Sequence, residues 1–395
     1  MQKTRTSPPA SSGSAGQVPF YRNAKVLPYI WQGVVLLAVI AGAVLLLLNL
    51  RRGMEAQGLS TSFEFLRRPA GFRISEGLTF SPQDSYLKAF MIGLFNTFRA
   101  TILGILLASL LGLIVGTARL SNNWLVNRLA FGYIELVRNT PLLVQLVFWY
   151  FAVVLQLPSV RDAIKFGPNI YLSQRGLVLP GIEAPTVFWA ACLGGIVAAL
   201  LLGSFLGRLQ RRSGRRTFAP FVALAAGAAL VAVGYYSSGK AVRLDMPVVG
   251  TFRVTGGVSL SPEFAALLAA LVFYFGGFIA EVIRGGITAV PKGQWEAARA
   301  LGLGYLTTLR IIILPQAMRV IVPPLGNIYL NLTKASSLAV AVGYPDLFGL
   351  SATIGSQSGN SVQVMLMVML TYLALTLVIA AGVNLLNRRV QIRTR

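Results

Sequence analysis

Eight stretches of this 395-residue chain are apolar over a bilayer's width, and nothing else limits its fold so sharply. They lie at about 30–50, 90–117, 130–157, 186–207, 218–236, 264–284, 313–333 and 363–386. A hydrocarbon core of ~30 Å takes roughly 20 helical residues to cross. Inside lipid every backbone N–H and C=O must find a partner within the protein, so a spanning segment is a helix or part of a closed barrel. The two-residue alternation of barrel strands is absent. The expected fold is an all-α integral membrane protein of about eight transmembrane helices. With 12% charged residues and a mean hydropathy of +0.68, the chain lies far from soluble domains, in which about 25% of residues are charged.

A net charge of +23 would suggest a nucleic-acid partner for a soluble protein. Here the spans supply a simpler reason, because Lys and Arg collect on cytoplasmic loops. With both termini inside, the cytoplasmic segments carry 18 Lys and Arg against one acid, Glu296, and the outer segments carry 13 against nine acids. Arg208, Arg211, Arg212, Arg215 and Arg216 make the strongest contribution to this orientation. Arg51, Arg52, Arg67 and Arg68 on the outer flank of the first span oppose it. The partner expected of this charge is membrane lipid, and no nucleic acid.

Residues 1–29 are rich in Ser, Pro, Gly and Ala and hold no signal-peptide core, so a disordered cytoplasmic tail is expected. Cys192 is the single cysteine and histidine is absent. Intramolecular disulfides, Cys/His zinc sites and Ser-His triads are thereby excluded. The stretch GYYSSGKA at 234–241 fits a phosphate-loop spacing, but Ala241 stands where a Ser or Thr would hold magnesium, and no strand precedes it. No cofactor, metal or catalytic residue is expected in this chain.

Residues 294–315, QWEAARALGLGYLTTLRIIILP, lie between two spans and therefore at one membrane surface. Pro291 and the alanines favour a short amphipathic helix, and Gly302 and Gly304 allow a sharp exit. Such a helix is shaped to be gripped by another protein. Glu-x-x-Arg occurs twice, as Glu135/Arg138 and Glu281/Arg284, and each spacing puts opposite charges on one helix face. All four fall near the cytoplasmic ends of their spans. Ionisable groups there pair with one another or line a path, so they read as a cytoplasmic gate or brace, or as helix-end charges reaching the interface.

Glu296-Ala297-Ala298, then Gly302, Ile312 and Leu314-Pro315 at their spacings resemble the "EAA" coupling loop of ABC-importer permeases. GLFNTFRATILGILLASLLGLIVG at 93–116, YIELVRNTPLLVQLVFWYF at 133–151 and NLTKASSLAVAVGYPDLF at 331–348 look like polar amino-acid permeases, and the length and extra spans like the larger permeases of general L-amino-acid importers. The resemblance covers about 90–157 and 264–386. It implies a type I importer core in two parts, 90–157 and 263–387, with the coupling loop at 291–315. Residues 30–89 would be an extra first span with its outer segment, 158–262 an insert of outer segments and a hairpin, and 388–395 a cytoplasmic tail. It also implies an inner-membrane permease moving L-amino acids from periplasm to cytoplasm. ATP and magnesium would reside in a separate ATPase, present in two copies, beside a periplasmic binding protein and a related second permease. Ala297, Ala298 and Gly302 would pack in the ATPase groove, with Glu296 and Arg299 at its edge.

An amino-acid zwitterion crossing hydrocarbon needs donors and acceptors to replace water. Asn96, Thr97, Arg99 and Thr101 on the second span, Gln145 on the third, and Asn327, Asn331 and Thr333 on the seventh are the candidates, although polar side chains also join helices. An ion-coupled secondary transporter is the alternative class; it would need acids in mid-span rather than at helix ends.

Overall fold

A computed structural model describes residues 27–56, 62–167, 169–213, 218–239, 242–250 and 254–390. The expected tail at 1–29 lies almost wholly outside the described residues, as do Arg215, Arg216, Lys240, Ala241 and 391–395. The chain divides into two compact units, 1–64 and 65–395. The first holds helix α1 (Leu27–Ala56), apolar around its whole circumference until Arg51, whose guanidinium donates to Glu55 four residues on.

In the second unit, α2 (Tyr86–Ala118) is followed by α3 (Trp124–Asn139) and the short α4 (Leu142–Val147). The expected third span, 130–157, is not one straight helix. It bends by 106° between α3 and the segment from Leu142 to Gln156. Pro141 disfavours helical backbone at the residue before it, and Thr140 is extended at φ −108°, ψ 126°. Gln145 closes the bend by donating from Nε2 to the carbonyls of Val137 (3.0 Å) and Thr140 (3.1 Å).

The expected outer segments at 158–185 and 237–262 contain short strands. β1 (Ile164–Lys165), β2 (Tyr171–Ser173) and β3 (Gly176–Leu179) precede β4 (Gly181–Glu183). β5 (Arg243–Asp245), β6 (Val248–Val249), β7 (Val254–Thr255) and β8 (Val258–Leu260) follow the hairpin α5 (Thr186–Ser213) and α6 (Ala219–Ser237). One antiparallel sheet runs β1-β2-β3-β8, and β4 pairs with β5 so that Glu183 faces Arg243. The hairpin therefore leaves and re-enters this outer structure at adjacent points. Its helices pack on each other where Gly195 and Gly227 cross, each ideal Cβ position lying 2.7 Å from the other's carbonyl oxygen.

α7 (Pro262–Thr288) is the centre of the bundle. Phe264, Ala266, Leu267, Ala270, Leu271, Ile279 and Ala280 are all buried. α2 lies against it at Gly112 and Gly116, four residues apart, which face Ile279 and the Ala280 carbonyl. Gly203 and Gly207 on α5 have the same spacing but divide: Gly203 faces Ala223, and Gly207 meets nothing.

After α7 come α8 (Lys292–Ala300), α9 (Tyr305–Thr308), a π-helical turn at Leu309–Ile313 and α10 (Leu314–Ala335). Pro315 is accommodated by the wider turn before it, because it has no N–H to give. Pro323 and Pro324 lie inside α10 without ending it. A 3-10 stretch, Ser336–Val342, leads to α11 (Leu347–Ser358), a helix not anticipated from sequence, and α12 (Ser361–Val390) completes the fold. Among the described residues seven helices are long and apolar enough to span, or eight if the bent pair is one span.

Candidate functional site

α8 has an apolar face turned inward and a polar face turned out. Pro291 stands at its N-cap with φ −55°, ψ 137°, one position before the first helical residue. At the other end the Leu303 N–H returns to the Ala298 carbonyl (3.0 Å) and the Gly302 N–H to Arg299 (2.9 Å). This pair of bonds is a Schellman stop, and its turning residue is Gly302 at φ +70°. The glycine of the motif is thus a backbone requirement. Gly304 is different: at φ −65° it caps α9 in a conformation open to any residue. Trp295 stacks on Tyr305 with centroids 5.6 Å apart, folding the helix back on the start of the next span.

The exposed side of α8 carries Glu296, Ala297, Arg299 and Ala300. Ala298 is fully buried, so its expected place in a partner's groove is corrected: it seats the helix on its own chain. Beside α8, the turn between α2 and α3 and the end of α7 enclose a recess of about 770 Å³. Ser121, Thr288, Lys292, Glu296 and Arg299 are among its lining residues. Leu301 is 77% exposed immediately after the helix.

Of the two Glu-x-x-Arg spacings, one forms an ion pair. Arg284 donates from Nε (3.0 Å) and Nη2 (2.5 Å) to the two carboxylate oxygens of Glu281. Glu281 also feels the charges of Arg138 and Arg119. The expected Glu135/Arg138 pair does not form. Glu135 accepts from Asn139 (3.2 Å), while the Arg138 guanidinium lies 5.6 Å from the centre of the Phe278 ring on α7. One carboxylate on α7 thus faces guanidinium groups carried by α7, α3 and the end of α2.

The residues expected along a substrate path do not share one site. Asn96, Thr97 and Arg99 come together at the opposite end of α7. Thr97 accepts from the Leu347 N–H (2.9 Å), and Asn96 donates to the carbonyls of Pro345 (2.8 Å) and Glu76 (3.1 Å). Arg99 pairs with Glu76 and donates to the Tyr344 hydroxyl (3.1 Å). Gln145 closes the helix bend described above. Thr333 is buried and bonded to its own helix at the Tyr329 carbonyl, whereas Asn327 and Asn331 are exposed one turn apart on α10.

Sequence reasoning missed Glu76, Ser261, Tyr344 and Asp346. Asp346 is fully buried and caps α11 by accepting from Gly349 (2.8 Å). Burial pushes its carboxyl from 3.8 up to about 6. An acid before a helix start was a usable capping signal, but nothing local marked Glu76 among the outer acids.

Residues 195–392 match the family described as the binding-protein-dependent transport system inner membrane component. The chain is 41% identical to the putative amino-acid ABC transporter permease protein YhdX of Escherichia coli K12, over 95% of this chain and 97% of that protein. The chain belongs to the amino-acid ABC transporter permease family. It is also similar to the general L-amino acid transport system permease protein AapQ of Rhizobium johnstonii, 39% identical over 88% and 87% of the two chains. With the glutamate/glutamine/aspartate/asparagine permease BztB of Rhodobacter capsulatus it shares 37% identity over 92% and 93%. This multi-span permease subunit imports amino acids on energy from ATP hydrolysed by a separate subunit, and it is not itself an enzyme. Its family works with an ATPase and a binding protein.

Proposed function

We propose that α8 is the lever through which the ATPase works this permease, with Glu296, Ala297, Arg299 and Gly302 at the contact. The observation that carries this reading is a helix seated on its own chain by a buried alanine and ended by a Schellman stop, with its polar face and Leu301 uncovered. Leu301, Tyr305 and Leu306, all more than 60% exposed, leave an apolar stretch beside the polar helix that fits a protein partner. ATP-driven closure of two ATPase subunits would draw two such helices together and shift the permease pair between inward- and outward-facing states. The second copy is a related permease, giving a heterodimer about a pseudo-two-fold axis. Both termini lie in the cytoplasm of a bacterial inner membrane. The cargo is a range of polar L-amino acids, as the names of the relatives suggest.

Reconstitution with the ATPase, binding protein and second permease tests this. Glu296→Lys is expected to assemble in the membrane and lose ATP-driven uptake of labelled L-amino acids. Uptake at the wild-type rate would remove α8 from the coupling path.

A further inference from the structure

The segment 65–85 lies over the start of α2, fastened by backbone bonds from Ala70 to Asp84 (2.8 Å), Gly71 to Pro82 (2.9 Å) and Tyr86 to Arg68 (3.1 Å). Midway, it turns a carboxylate into the bundle. The Glu76 side chain is 7% exposed. One of its oxygens pairs with Arg99 Nη2, and the other accepts from the Ser261 hydroxyl. The Arg99 guanidinium lies over the Phe264 ring, its carbon 4.1 Å from the ring centre. Gly77 follows so closely that an added Cβ would stand 2.7 Å from Asn96 Oδ1. Glu76 thus joins α2 to the cap of α7, and through Arg99 and Asn96 to the 344–345 turn.

Two polar atoms under this segment are buried without a partner: Arg99 Nε and Asn96 Oδ1. The first is half of the guanidinium fork, which Glu76 engages from Nη2 alone. A free carboxylate could take both Nε and Nη2 in the bidentate geometry that suits arginine. The second is an acceptor able to receive an ammonium group. Asn96 and Arg99 are three residues apart on one face of α2.

We propose that Arg99 and Asn96 form a receptor for the two charged ends of an L-amino acid, and that Glu76 with Gly77 is its built-in occupant when this end of the permease is closed. The carboxylate of the cargo takes the place of the Glu76 carboxylate on Arg99, and its ammonium group reaches Asn96 Oδ1. Exchange of one carboxylate for another keeps Arg99 paired throughout, so the outer segment leaves as cargo arrives rather than before it. This rests on the assignment of the protein as an amino-acid importer.

The test is equilibrium binding to the purified permease–ATPase complex in nanodiscs, without the binding protein. The probes are the labelled L-amino acid that the wild-type complex imports fastest, and its α-amide, which has no carboxylate. Glu76→Gln keeps the shape and most hydrogen bonds but not the charge. If the closed form holds nine-tenths of the population, that variant binds the amino acid about tenfold more tightly, while the amide, with no carboxylate for Arg99, stays far weaker than the amino acid in both proteins. Arg99→Gln is expected to bind no amino acid, with or without Glu76→Gln. Arg99→Lys, which keeps the charge but not the fork, is expected to bind more weakly than wild type if Arg99→Gln fails to assemble. Unchanged amino-acid affinity in Glu76→Gln, an amide bound as tightly as the amino acid, or wild-type binding by Arg99→Lys would overturn the proposal. ATP-driven uptake by the wild-type complex is read in parallel in sealed proteoliposomes supplied with the binding protein. Its absence counts against the importer assignment, whereas uptake with unaltered Glu76→Gln binding refutes the receptor alone.

Discussion

Gly302 holds a left-handed backbone with nothing within 4 Å of the position its Cβ would occupy. An alanine there meets no clash and costs roughly 1 kcal/mol in backbone conformation alone. Aspartate adds a negative charge at the negative end of α8, and that charge lies on the face offered to a partner. Gly302→Ala is therefore expected to keep a reduced share of ATP-coupled uptake and Gly302→Asp to lose it, with both variants inserted normally. Equal activity in the two would remove the physical basis of the coupling surface. Asp346 gives a second residue-scale prediction. Its carboxyl binds a proton more tightly in the folded protein, at about 6 against 3.8. Stability from this group is thus complete below pH 3.8, declines as pH rises through 6, and stays about 3 kcal/mol lower above it. Tyr344 and Tyr372 face this acid; Tyr344, pushed up by burial, is neutral across that range. Asparagine keeps an acceptor for the Gly349 N–H and has no charge to bury. Thermal melting should show Asp346→Asn matching or exceeding wild type at pH 7.5, its advantage vanishing near pH 4; a variant less stable at pH 7.5 would contradict this.

At the scale of elements, the bundle depends on how closely two helices approach. Across the α2–α7 seam an added Cβ on Gly112 would stand 2.5 Å from Ile279 Cγ2, whereas one on Gly132 in α3 meets nothing. Overpacking of this kind costs about 1–3 kcal/mol before any side-chain atoms beyond Cβ are placed. Gly112→Leu should sharply lower the yield of folded permease in membranes while Gly132→Leu leaves it near wild type. Similar yields from both would mean that the seam can part. The bend after α3 has a comparable logic. Pro141 was visible in the sequence as a breaker, but that Gln145 satisfies the loosened carbonyls depends on a turn only the folded chain makes.

For the whole molecule, the hairpin α5–α6 is a satellite whose helices pack chiefly on each other. Because Glu183 and Arg243 pair across β4 and β5, residues 186–236 can be replaced by a short turn without moving the flanking strands. Such a deletion is expected to weaken assembly with the other subunits, read by co-purification, and to leave the relative uptake rates of different L-amino acids unaltered. A shifted uptake profile would place the hairpin in the transport path.

Spacing along the chain determined the spans, the short helix α8 and its stop, because helix length, apolar width and a left-handed glycine are properties of neighbouring residues. It also placed Asn96 and Arg99 on one face of α2. Tertiary structure decided the rest. Ala298 turned inward when α8 folded back on Tyr305. One Glu-x-x-Arg spacing closed into an ion pair, and the other opened toward Phe278. Glu76 reached Arg99 across 23 residues. Each of these outcomes depends on which surfaces meet after the chain has packed, and burial of a charge selects its partner by distance in space, whatever the separation along the sequence.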